Sequence, residues 1–208
     1  MDGYQLDAVE VRVLSVLVEK QALTPDAYPL TLNALTGACN QLTSREPVMQ
    51  LSESDILAAL DSLMAQKLIA ERTPAGSRVA KYEHRLNYAW NIDGARLAAL
   101  ALLMLRGAQT AAEIRARSGR IYAFSSTEEV ESALLALADK YPPMALKLAR
   151  QPGAREARWA HLLSGEPQQM AQACSEIDVG LAGRVAALEA QVEALRTRLA
   201  ELESQLDQ

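Results

Sequence analysis

Histidine is the side chain best suited to proton transfer and metal binding near neutral pH, and this 208-residue chain has two, His84 and His161. They stand far apart, with no cysteine or second histidine close by in the chain. An HExxH pair, a glycine-rich phosphate loop and a nucleophile elbow are all missing from the sequence. Cys39 and Cys174 are too few and too isolated for a disulfide scaffold or a zinc set. Cys39 falls on the apolar side of a helical stretch and reads as a small core residue. No catalytic residue, cofactor or metal is therefore expected, and the chemistry left is that of binding.

Charge shows where binding would occur. Residues 1–90 carry 8 Lys/Arg against 11 Asp/Glu, residues 91–163 carry 10 against 7, and residues 164–208 carry 3 against 8. A polyanion such as double-stranded DNA would choose the middle segment. There, Arg115, Arg117 and Arg120 cluster at the end of one helical stretch, and Lys147, Arg150, Arg155 and Arg158 cluster on an extended one. The plain alternative is a solvated surface, or salt bridges to the acidic tail. A second candidate is the polar loop Asn40–Pro47, where Asn40, Gln41, Ser44, Arg45 and Glu46 exceed what a short turn needs. Loops held by a rigid scaffold are favoured binding locations; otherwise Arg45 and Glu46 make local ion pairs.

The elements that must position these residues follow from a duplication. Residues 76–86 align without gaps on 153–163, pairing Tyr82 with Trp159 and His84 with His161. Residues 52–63 align on 126–137, pairing Ser52 with Ser126, Ile56 with Val130 and Leu60 with Leu134. Two blocks in the same order mean one unit used twice. The matched aromatic and histidine pairs read best as anchors at the base of a duplicated ribbon.

In the first copy, Val9, Val13, Leu14, Leu17 and Val18 recur at helical spacing over about Asp7–Lys20. A second helix is expected from Pro29 to about Asn40, and Ser52 with Asp55 forms a capping box for a third. Leu68–Thr73 and Val79–Leu86 then form a hairpin. The second copy offers Ile92–Leu105, a box at Thr110 and Glu113, a start at Ser126 and Glu129, and a hairpin of Met144–Arg150 with Glu156–Leu162.

Three helices followed by a ribbon is the winged helix-turn-helix plan. The expected class is mainly α with small β-hairpins (α+β). It comprises winged-helix domains at 1–90 and 91–165, then a linker and C-terminal coiled-coil helix at 166–208. In that tail Leu181, Val185, Leu188, Val192, Leu195, Leu199, Leu202 and Leu206 alternate steps of four and three, a heptad seam. Valine at a with leucine at d favours a parallel homodimer; the alternative is a tail packed on its own globular part.

Several stretches resemble the YceH-like family of bacterial proteins. They are Leu6–Glu19, Tyr28–Asn33 through Ala38–Gln41, Ser44–Met49, Lys81–Arg85, Arg106-Gly107 with Gln109-Thr110, Pro152–Glu156 and His161–Leu163. The resemblance spans about residues 1–165. It implies a tandem winged-helix fold and brings no catalytic residue set with it.

The longest apolar run, Leu97–Leu105, is far shorter than the ~20 residues a membrane span needs. Acidic Asp2 gives no signal-peptide pattern, so a cytoplasmic protein is expected. The third helices open with Ser52-Glu53-Ser54-Asp55 and Thr127-Glu128-Glu129, carboxylates of the wrong sign for a phosphate backbone. Two functions follow: a dimeric DNA-associated regulator using the basic second half, or a protein–protein adaptor whose acidic helix faces dock partners.

Overall fold

Asp7 starts the first helix because its carboxylate accepts from the backbone N–H groups of Val9 and Glu10, both at 2.8 Å, while Glu10 accepts from Asp7 N–H. This helix, α1 (Ala8–Leu23), buries every residue from Glu10 to Glu19. A computed structural model of the chain describes residues 4–73, 79–150 and 153–165. The heptad positions Val185, Leu188, Val192, Leu195, Leu199 and Leu202 lie outside the described residues, as do Cys174, Gly76 and Arg78.

After α1 come a 3₁₀ turn (Pro25–Ala27), β1 (Leu30–Thr31), α2 (Leu32–Cys39), α3 (Glu53–Ala65), β2 (Ile69–Arg72) and β3 (Lys81–His84). The second helix begins three residues later than the sequence suggests. Leu30 and Thr31 are instead extended, opposite Tyr82 and Lys81 of β3, and the Thr31 hydroxyl accepts from Ala34 N–H to start α2. The antiparallel sheet runs β1-β3-β2, with Ile69 opposite His84. A short α4 (Leu86–Ala89) links to the second half.

There the order is α5 (Gly94–Arg106), α6 (Ala111–Ser118), α7 (Thr127–Ala138), β4 (Ala145–Lys147) and β5 (Trp159–His161). Gln109 takes the place of β1: its backbone pairs with Trp159 in both directions, at 3.0 and 2.7 Å. The duplication thus extends to a one- or two-residue strand that no periodicity could reveal. Capping boxes close at Ser52 with Asp55 and at Thr110 with Glu113. Ser126 caps α7 one way only, because the Glu129 carboxylate bonds Ser125 and the Tyr122 hydroxyl.

The halves meet through α1 and α5. α5 is apolar on nearly all sides, and such a helix must be enclosed, while α1 is enclosed together with its Glu10, Arg12, Ser15 and Glu19. α5 is buried from Leu97 through Leu105, and α1 packs on α5 as well as on α2 and α3. Each leucine enclosed this way contributes ~1.5–3 kcal/mol. A bond from Leu6 N–H to the Leu163 carbonyl, 2.8 Å, ties the start of the unit to its end. The described residues form an α+β protein of seven α-helices and two small antiparallel sheets.

Candidate functional site

The loop from Asn40 to Leu51 is held from inside. Asn40 closes its base, donating to the Leu51 carbonyl and accepting from Leu51 N–H, both at 2.8 Å. Arg12, fully buried on α1, donates to the carbonyls of Cys39 (3.2 Å) and Pro47 (2.7 Å). Arg45 turns inward too. Its guanidinium meets Glu19 Oε2 at 2.6 Å and donates to the carbonyls of Ala38 and Ser44 and to Gln41 Oε1. Burial pushes the Glu19 carboxyl up, but hydrogen bonds and charge from Arg45, then Lys20, more than offset it and hold it below its ordinary range. Burial, then the charge of Arg45, lowers the Arg12 guanidinium.

Of the five loop candidates, Asn40 and Arg45 are therefore internal clamps, and Gln41 is partly engaged by Arg45. Ser44 and Glu46 reach the surface, as does Leu42 at 79% exposure. Ser44 has φ 62, in the left-handed region, and its Oγ accepts from Arg106 Nη2 at 2.6 Å. Glu46 N–H donates to the Leu105 carbonyl. The loop of the first half is thus fastened to the end of α5 in the second.

The basic candidates divide into two groups. Arg158 Nη1 donates to the Ala108 carbonyl at 2.7 Å, and Arg117 Nη1 donates to Gln109 Oε1 at 2.9 Å. Both guanidinia also face Glu113, at 3.1 and 3.6 Å. Arg115 donates to the Ser125 carbonyl. Lys147 pairs with Glu131 at 3.2 Å and lies 5.3 Å from the centre of the Trp159 ring. Arg120, Arg150 and Arg155 have no ion-pair partner among the described residues.

Two arginines, Arg117 and Arg158, therefore bond the turn that Arg106 begins and Gln109 ends, where Gly107 at φ 70 closes α5 in a conformation suited to glycine. Arg106 was missed as a site residue because it follows an apolar run and looks like its solvent-facing end. Only its place beside Gly107 in the family-like segment marks it. A cleft of about 380 Å³ lies next to this turn, lined by Thr110, Glu113, Leu148, Arg155, Glu156 and Arg158 among others.

The third helices carry no lysine or arginine: α3 reads ESDILAALDSLMA and α7 reads TEEVESALLALA. Leu57 on α3 and Leu135 on α7 are exposed, at 40% and 50%. The matched ribbon residues are buried. His84 bonds Gln21 Oε1 through Nε2 at 2.7 Å, whereas His161 Nδ1 and Trp159 Nε1 have no partner among the described residues. Burial pushes both imidazoles down to about 4 and the Cys39 thiol up to about 12. Among the described residues no group of three or more His, Cys, Asp and Glu is placed to hold a metal ion. No helix among them is long and apolar enough to cross a membrane.

The described residues thus form two halves of helices and a small antiparallel sheet, joined through α1 and α5. A family model described as a protein of unknown function, DUF480, matches residues 6–154. The chain belongs to this family, which carries the name UPF0502 and includes the YceH-like proteins. A UPF0502 protein of Chromobacterium violaceum is 77% identical over 208 residues, covering 100% of this chain and 94% of that protein. One from Janthinobacterium sp. (strain Marseille) is 50% identical over 210 residues, covering 97% and 88%. One from Shewanella loihica is 46% identical over 210 residues, covering 95% and 98%.

Proposed function

We propose that this chain is a non-catalytic protein–protein adaptor built from two winged-helix units. In this reading α3 and α7 dock partner proteins, and the heptad tail joins two copies in the cytoplasm. The observation that carries it is the make-up of these two helices. In a winged helix on DNA, the third helix enters the major groove between phosphates. Here its outward residues include Glu53, Asp55, Leu57 and Asp61 in one half and Glu128, Ser132 and Leu135 in the other, with exposed Asp139 capping its end. An apolar side chain rimmed by acids suits a partner surface that is apolar and basic, and it repels DNA.

One observation favours the second reading, a DNA-associated regulator. Arg120, Arg150 and Arg155 are exposed and unpaired among the described residues, so the ribbon of the second half could grip duplex phosphates while α7 stays out of the groove. Fluorescence anisotropy on random duplex DNA, at low and physiological salt, separates the two. The adaptor reading expects no binding at physiological salt, and any binding at low salt insensitive to Leu57→Ser or Leu135→Ser. Tight binding at physiological salt that Arg150→Ala with Arg155→Ala abolishes would replace it with the DNA reading.

A further inference from the structure

Arg117 and Arg158 direct their guanidinia at the turn Arg106–Gln109, bonding Gln109 Oε1 and the Ala108 carbonyl, while Arg106, its first residue, bonds Ser44 Oγ. One carboxylate, Glu113, answers two of them, and Arg106 is met only by a neutral hydroxyl. Arg45 adds no net charge, since Glu19 balances it at 2.6 Å. Three cations against Glu113 leave an excess of two, which Glu46, acting on Arg106 from a distance, reduces to one. Burial first, then the charges of Arg117 and Arg45, lower the Arg106 guanidinium, so an anion placed here relieves repulsion already present.

The hydroxyl partner is itself held at a cost. Ser44 adopts φ 62, where a residue with a Cβ is strained by roughly 1–3 kcal/mol, and the Arg45 clamp behind it keeps it there. Its hydroxyl occupies the position on Arg106 that an oxyanion would take, and Ser44 is exposed at the surface.

We propose that this junction between the two halves is a phosphate site, in which the oxygens of a phosphate group accept hydrogen bonds from Arg106 and Arg117 and replace Ser44 Oγ on Arg106. Two planar guanidinia offer paired donors that match tetrahedral oxyanions, and charge-assisted bonds are about twice as strong as neutral ones. The phosphate comes either from a small phosphate ester or from a duplex backbone. The site is independent of the docking faces on α3 and α7, because none of its residues lies on either helix.

The test titrates inorganic phosphate into the full chain against sodium chloride of equal ionic strength, following the backbone amide signals of Ser44 and Gly107 by NMR. Saturable shifts are expected, with affinity reduced about tenfold to a hundredfold in Arg106→Gln, the value of one charge-assisted bond. Arg96→Gln, at the far end of α5, leaves it unchanged. Where Arg106→Gln disturbs the circular dichroism spectrum, Arg117→Gln serves instead. No saturable shift, or equal affinity in a folded variant and the wild type, overturns the proposal. Anisotropy with duplex DNA then names the source. Parallel loss in Arg106→Gln means backbone phosphate, and DNA binding that is absent or unchanged means a small phosphate ester.

Discussion

Replacing Arg45 by methionine removes the guanidinium that the surrounding loop is folded around. The Arg45 side chain is 0% exposed and Glu19 is 7% exposed, with 2.6 Å between them. The substitution leaves a buried carboxylate with Lys20 alone, at 3.3 Å, and strips donors from the Ala38 carbonyl and from Gln41. Breaking a buried pair from one side costs ~3–5 kcal/mol, a large share of the ~5–15 kcal/mol typical of a whole domain. At ~2–4 °C per kcal/mol for a unit of this size, Tm should fall by about 6–20 °C. The double variant Glu19→Gln with Arg45→Met should recover half of the loss or more, because no unpaired charge remains.

The pH dependence has a definite sign. In the wild type Glu19 is held below its ordinary range, so its contribution is complete above the ordinary carboxylate value and disappears as pH falls through the lower, folded one. In Arg45→Met burial, the largest influence on Glu19, is opposed only by Lys20 at 3.3 Å and raises the carboxyl, so acidification from pH 7 toward 5 should recover stability. Urea and thermal unfolding of the full chain, followed by circular dichroism, measure both effects. A loss below about 1 kcal/mol, the value of an exposed pair, would refute the clamp.

The buried histidines make a second pH prediction. Both fold with values of about 4 against 6.5 unfolded, so the neutral form is favoured and stability is lost as pH falls from about 6.5 to about 4. Two such groups give a slope approaching ~2.7 kcal/mol per pH unit, and His161→Gln should halve it in urea midpoints taken across that range. Cys39, fully buried and with its thiol pushed up to about 12, should resist a thiol reagent in native Cys174→Ser protein and react at once in denaturant. Rapid labelling of the native protein would contradict its burial. Thr110→Ala removes the cap of α6 and should lower stability by ~1 kcal/mol in the same urea assay.

Much of the fold was legible because helix caps and apolar periodicity are local signals. Ser52 with Asp55 and Thr110 with Glu113 mark helix starts that the structure reproduces. The duplication located both ribbons, since Tyr82 and Trp159, with His84 and His161, fill matched buried positions. β1 escaped notice because two residues have no period, and the bond between Leu30 and Tyr82 spans half the first copy. The site was less legible. Arg12 and Arg45 are charged residues whose burial depends on partners far off in sequence, Pro47 and Glu19, so the loop arginine read as a binding residue or as half of a local pair with Glu46. The spacing of Val9, Val13, Leu14, Leu17 and Val18 marks only one apolar face of α1, whereas the fold buries the helix on all sides from Glu10 to Glu19, Arg12 included. Arg106 gained its place only when the first-half loop folded onto the end of α5.

The most direct test of the docking account places a photo-crosslinking amino acid at Leu57 or Leu135 in the full chain inside cells. Adducts are digested separately with nuclease and protease, and a crosslinker at exposed Tyr88 serves as the control. The account predicts discrete protein adducts at both helix positions, resistant to nuclease and absent from the control. Adducts at these positions that nuclease removes would place α3 and α7 against nucleic acid and contradict it.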